Sequence, residues 1–149
     1  MKAKASIILI TLLTMFGSCS TGPEPINYGS DQCDNCRMTI MDNKFGSEII
    51  SNKGKVYKFD AAECMVRFVK EGKIKQEDIQ NRLVTDASKP GQFVDAVNAV
   101  YLISEKFPSP MGANLSAYGS KSDAEKFQKD FSGELKTWDE ILIKFKANH

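Results

Sequence analysis

The sequence predicts an α+β fold of two packed ββαβ units, following an export signal and a flexible tether. Three observations predict it. Short runs in the two-residue period of strands alternate with stretches in the 3.6-residue period of helices. The order strand, strand, helix, strand occurs twice. Each unit is also too small to bury much apolar surface alone, so the two must share a core.

In the first unit, Arg37 to Met41 and Ser47 to Ser51 have β character, and Lys55 to Phe59 alternates polar and apolar residues. Asn52-Lys53-Gly54 supplies a tight turn between the last two. Asp60, with Glu63 three residues on, has the pattern of a helix-capping pair. The helix it opens presents Ala61, Cys64, Met65, Phe68 and Val69 on one face and ends at Gly72. Lys73 to Asn81 is a polar connection with room for a helical turn, and Arg82 to Thr85 closes the unit as a strand. The second unit begins with strands at Val97 to Ile103 and Asn114 to Tyr118. Ser122 and Glu125 form a capping pair for a helix whose face carries Ala124, Phe127 and Phe131. Gly133 to Lys136 returns as a strand. Thr137 and Glu140 then cap a last helix with Trp138, Ile141, Leu142 and Phe145 on its apolar face. Tyr57-Lys58-Phe59 and Ser116-Ala117-Tyr118 occupy equivalent places before the two helices, a weak internal duplication.

The N-terminus sets the compartment. Met1 to Lys4 is basic, and Ser6 to Phe16 is apolar but shorter than the roughly 18 residues a membrane span needs. A basic head, a short apolar body and small residues before a break describe a secretory signal. Gly17-Ser18-Cys19 resembles a lipobox, in which the cysteine is acylated and becomes the new N-terminus. Residues 1–18 are then expected to be the signal and Cys19 a lipid anchor facing the periplasm, inner or outer membrane left open; the alternative is an ordinary cleaved signal with an incidental Cys19. Residues 19–30, rich in Pro, Gly and Ser, form the tether. Residues 31–90 are the first unit and 91–149 the second. With 20 basic and 19 acidic residues and no long run of one sign, nucleic acid is excluded as a partner.

Cysteine arithmetic points toward chemistry. With Cys19 taken by lipid, an odd set remains: Cys33, Cys36 and Cys64. An exported domain cannot pair all three internally. Cys33-Asp34-Asn35-Cys36-Arg37-Met38 is the densest constellation. Thiolate and thioether sulfur are soft donors, which select Cu(I) among the biological metals. In a strand, Cys36 and Met38 would share one face. Met111 sits between Pro110 and Gly112, in a loop able to hold a thioether outward. Cys64, near the positive end of its helix, and Met65 read more readily as core than as ligands. The only histidine is the terminal His149, so a four-ligand zinc site is disfavoured. A CxxC pair in an exported protein is also a disulfide or redox motif, and composition does not choose between these.

The CxxCxM stretch at Cys33, Phe59-Asp60-Ala61-Ala62-Glu63-Cys64-Met65, Asp95 to Ala99, Ser109-Pro110-Met111-Gly112 and Leu115-Ser116-Ala117-Tyr118 follow one another in that order. Together they resemble the NosL family, lipoprotein accessory factors of nitrous oxide reductase, over about residues 31 to 140. The resemblance implies a monomeric, non-enzymatic Cu(I) chaperone of two ββαβ units, similar in fold to the helper domain of organomercurial lyase. It implies delivery of copper to nitrous oxide reductase through a membrane ABC-type maturation complex. The family's Cys-x-Met pair falls on Cys36 and Met38, and its Pro-Met-Gly methionine falls on Met111. Cys33 stands beside them as a further donor. Arg37 is a departure, because the family typically has Gly there. Its charge is expected to favour thiolate at Cys36. The rivals are a thiol–disulfide oxidoreductase working through Cys33 and Cys36, and an adaptor lipoprotein whose CxxC is a staple.

Overall fold

The computed structural model describes residues 22–145. The signal, the lipidation candidate Cys19 and the terminal His149 lie outside the described residues. Two antiparallel sheets and three helices make up the fold. The first sheet has the order β2-β1-β3-β4, from β1 (Ser47–Ser51), β2 (Val56–Phe59), β3 (Ile79–Thr85) and β4 (Phe93–Asp95). Helix α1 (Ala62–Lys70) connects β2 to β3, with a short 3-10 turn at Gln76–Asp78 on the way. The second sheet has the order β6-β5-β7, from β5 (Val100–Ile103), β6 (Leu115–Tyr118) and β7 (Glu134–Lys136). Helix α2 (Lys121–Phe131) lies between β6 and β7, and α3 (Trp138–Lys144) follows. The ββαβ order therefore occurs twice, as expected. No helix among the described residues is long and apolar enough to cross a membrane.

The local signals translate into structure with a few shifts. Gly54, at φ 78°, closes the β1–β2 turn with its amide on the Ser51 carbonyl at 2.8 Å. Gly72, at φ 70°, ends α1 in a Schellman motif: the Gly72 amide reaches the Val69 carbonyl and the Lys73 amide the Phe68 carbonyl. Thr137 and Glu140 form the expected capping box on α3. The other two caps differ from expectation. Helix α1 starts after Ala61, one residue later than expected, without a side-chain cap, and Asp60 is buried instead. Helix α2 is capped by Ser120, whose hydroxyl accepts from the Asp123 amide, two residues before the expected Ser122. The strand expected from Val97 begins only at Val100, because the Asp95 carboxylate holds the Val97 and Asn98 amides in a turn.

One apolar core serves both units. Ile49, Phe59, Met65 and Val84 from the first unit meet Tyr101, Leu115, Trp138 and Ile141 from the second. The seam is hydrogen-bonded as well: the Ala87 amide reaches the Ala117 carbonyl at 2.8 Å, and Asp86 accepts from the Gly119 amide at 3.2 Å. The segment before the cysteines is also packed. Ile26 is buried, and a Cβ on Gly46 would lie 2.7 Å from its Cδ1. The chain is thus fixed to the sheet from about Ile26 onward. Gly133 is the tightest point. It has φ 115°, and a Cβ there would lie 2.2 Å from the Ile103 carbonyl oxygen, where β7 pairs with β5. Gly133→Ala is therefore expected to cost about 2–3 kcal/mol, seen as a lower urea midpoint with unchanged slope.

Candidate metal centre

The cysteine loop is a tip projecting from a narrow backbone ladder. Gln32 bridges Thr39, the Ile40 amide donates to the Asp31 carbonyl, and the Cys33 amide donates to the Met38 carbonyl at 2.8 Å. The tip is seated on the edge of β2. The Asp34 amide donates to the Lys58 carbonyl, and the Asp34 carboxylate accepts from the Lys58 amide, both at 2.8 Å. Position 37 turns the chain back: Arg37 has φ 65°, and its amide donates to the Cys33 carbonyl at 2.9 Å. The strand expected over Arg37 to Met41 is therefore absent. A left-handed residue between Cys36 and Met38 breaks the two-residue period, so a shared strand face does not relate them. Cys36 is half-buried, while Met38 is 55% exposed.

The tip delivers Cys33 and Cys36 to α1, where Cys64 is the third helical residue. The three Sγ atoms lie within 4.8 Å of one another, the only such group of candidate ligands among the described residues. Three sulfurs about 2.3 Å from one metal ion would stand roughly 4 Å apart, so a small closure suffices. Cys33 and Cys64 are wholly buried, and Cys36 is the thiol open to the surface. All three are free thiols.

Electrostatics push the acidities of the three thiols apart. Cys33 is pulled down to about 5, first because the Cys64 thiol shares its proton with it, and then by the Cys36, Asp60 and Asn35 backbone amides, against the cost of burial. The Cys36 amide lies 3.5 Å from the Cys33 sulfur. Cys64 is pushed up because its proton serves Cys33 and because it is buried. Burial and the neighbouring thiolate push Cys36 up as well. The Arg37 guanidinium, expected to favour thiolate at Cys36, is paired elsewhere. The guanidinium is 73% exposed and turned to Asp34 at 3.9 Å.

The Ser-Pro-Met-Gly loop comes to the same end of α1. Glu63, the residue before Cys64, is fully buried and accepts a hydrogen bond from Ser109 Oγ at 2.5 Å. Burial holds its carboxyl above the usual range, and its second oxygen has no partner. This contact ties the second unit to the first at the cysteine site. Met111, partly buried, packs on the apolar cluster that contains Cys33 and Cys64. Gly112 takes φ 74°, and a Cβ there would meet nothing within 4 Å. Of the sequence candidates, Cys33 and Cys36 are thus brought together, Met111 is carried to the same core, and Met38 stays at the surface. Cys64 was assigned to the core on its helical spacing. It is core, and it is also the third sulfur. The odd count of thiols was the sequence signal that pointed to it.

Arg37 is the one non-glycine in the loop forced into left-handed backbone. Removing its Cβ should relieve about 0.5–1 kcal/mol net, while its exposed ion pair contributes little. Arg37→Gly is expected to raise the unfolding midpoint, and a lower midpoint would show that the side chain matters more than the turn.

A family model described as NosL matches residues 26–145. Among solved structures, the crystal structure of the copper chaperone NosL from Shewanella denitrificans aligns with a TM-score of 0.68 at 23% identity. The alignment covers 80% of this chain and 95% of that one, and at this identity the likeness is one of fold. No curated protein matches the sequence.

Proposed function

The chain belongs to the NosL family, and from that premise we propose that it is a Cu(I) carrier of the bacterial cell envelope. The observation that carries the reading is the meeting of three sulfurs within 4.8 Å, two of them buried and one open to the surface. An all-sulfur set with no histidine or carboxylate in the group suits a soft monovalent ion. Cys33 and Cys36 would hold the ion with Cys64. Met111 would approach from the loop seated by Glu63, and Met38 at the surface would meet the ion on entry or exit. Binding displaces protons from Cys36 and Cys64, so uptake weakens as pH falls. Exchange is associative: a partner's donor reaches the ion on the open Cys36 side before the buried sulfurs let go.

In this reading the copper goes to the maturation of nitrous oxide reductase through a membrane ABC-type complex. Acylated Cys19 would hold the carrier at the membrane on the periplasmic side. Competition for Cu(I) against a chromogenic chelator, with thiols reduced, is expected to give one equivalent bound per chain. Failure to compete at any chelator ratio removes copper from the account.

The Cys33 thiolate also favours a second reading, thiol–disulfide exchange with Cys36 as partner. Catalytic turnover of a model disulfide by the metal-free protein would support it over the carrier.

A further inference from the structure

A cleft of about 380 Å³ opens beside the cysteine loop, lined by Lys53, Lys55, Lys73 and Lys75 with Asp78 as its one carboxylate. Tyr57 and Ile74 contribute apolar lining. Lys55 Nζ lies 4.3 Å from the centre of the Tyr57 ring, and Lys73 Nζ lies 5.6 Å from that of Phe68. Acidic and basic residues nearly balance over the whole chain, so this gathering is local. Among the described residues, Lys53, Lys55 and Lys75 make no ion pair, and only Lys73 has one, with Glu71 at 2.8 Å. A concave surface carrying unpaired charge of one sign focuses its field and selects partners of the other sign.

The cleft and the thiols are physically joined. Lys73 Nζ donates to Asn35 Oδ1 at 2.9 Å, and Asn35 sits between the two loop cysteines with its backbone amide favouring the Cys33 thiolate. Met38 and Met41, shortly after Cys36 in the chain, are 55% and 68% exposed, two of the four exposed large apolar side chains among the described residues. We propose that this cleft is the docking site for an acidic segment of the protein that exchanges copper with Cys36. A carboxylate that takes Lys73 competes with Asn35 for it, so docking acts directly on the loop holding Cys33. The partner's role rests on the Cu(I)-carrier reading, whereas the binding of an acidic segment does not.

Two measurements test it. The first is anisotropy of fluorescein-labelled hexaglutamate and hexalysine with the copper-free full chain at low salt. Hexaglutamate is expected to bind and hexalysine not. Lys53→Glu, Lys55→Glu and Lys75→Glu together should abolish binding. The matched reversal Lys121→Glu, Lys126→Glu and Lys129→Glu on α2, with the same change in net charge, should leave it nearly intact. The second is Cu(I) transfer from the loaded protein to a Cys-x-x-Cys peptide flanked by glutamates or by lysines. The acidic peptide is expected to be at least about 10-fold faster, with the advantage gone near 1 M salt, where the screening length is ~3 Å. The cleft reversal should invert the order. Equal loss in both triple variants would overturn the proposal. So would co-sedimentation with phosphatidylglycerol vesicles through the cleft lysines without acidic-peptide binding, which would assign the cleft to the membrane surface. A chain that takes up no Cu(I) yet binds hexaglutamate through the cleft would fail the carrier reading and keep the docking site.

Discussion

A Cys64→Ser protein is expected to bind Cu(I) at least about 100-fold more weakly than the parent, although Cys64 reads in the sequence as one more apolar helix residue. Losing an outer-sphere partner of a metal ligand costs roughly 10–100-fold, and a direct sulfur ligand should cost no less. Serine nearly matches the volume and keeps a hydrogen to offer Cys33, so the fold and the Cys33 thiolate should both survive. The change isolates the sulfur. Cys36→Ser should cost as much and also slow exchange, because Cys36 is the thiol open to an incoming ligand. Chelator competition measures the affinities, and thermal unfolding of the metal-free proteins checks that the fold is intact. Cys64→Ser binding within about threefold of the parent would return the site to Cys36, Met38 and Met111 with Cys33.

Glu48 alone is expected to withdraw roughly 3 kcal/mol of stability as pH rises from about 4.5 to 7, a contribution that Glu48→Gln should remove. Glu48 lies in the central strand β1 with no solvent exposure. One carboxyl oxygen accepts only the Glu24 amide, at 3.3 Å, and the other has no partner. The nearby cation Lys58 is taken by Asp31 and the Pro25 carbonyl, each at 2.9 Å. Burial therefore pushes Glu48 up to about 7, against a partial pull from the Glu24 amide and Lys58. The folded protein holds this proton more tightly than the unfolded chain does. The stabilisation is full below the unfolded value and is lost as pH rises to the folded one. Asp60 and Glu63, both raised by burial, act with the same sign. Asp31, lowered by the Asn27 amide and Lys58, acts in the opposite sense at lower pH, and Cys33, pulled down to about 5, opposes Glu48 above that value. Urea unfolding at pH 5 and pH 8 reads the difference. A gap between the parent and Glu48→Gln proteins that is the same at both pH values would contradict the account.

Glu48 belongs structurally to the approach of the chain toward its thiols. It lies beneath Glu24 and Lys58, and Lys58 carries both the incoming segment and the cysteine tip. Sequence reading treated residues 19–30 as free tether because Pro, Gly and Ser outnumber apolar residues there. Burial of one isoleucine, Ile26, in a notch cleared by Gly46 is invisible to composition.

Periodicity determined a great deal by itself. Repeating strand and helix periods specified two ββαβ units, because which residues face inward along a strand or a helix depends only on local geometry. Local chemistry likewise placed the Gly54 turn, the Gly72 stop and the Thr137 capping box. The odd number of thiols determined that at least one had to be free, bound to metal or joined to another molecule. Tertiary structure decided which sulfurs meet. Position 37, left-handed in the folded loop, cancels the strand face that would have joined Cys36 to Met38. Docking of that loop on β2 carries two thiols to a third, 28 residues beyond Cys36, on α1. A buried carboxylate at Glu63 draws in Ser109 from 46 residues away. Contacts between positions this far apart depend on how whole elements pack, and no window of sequence contains that information.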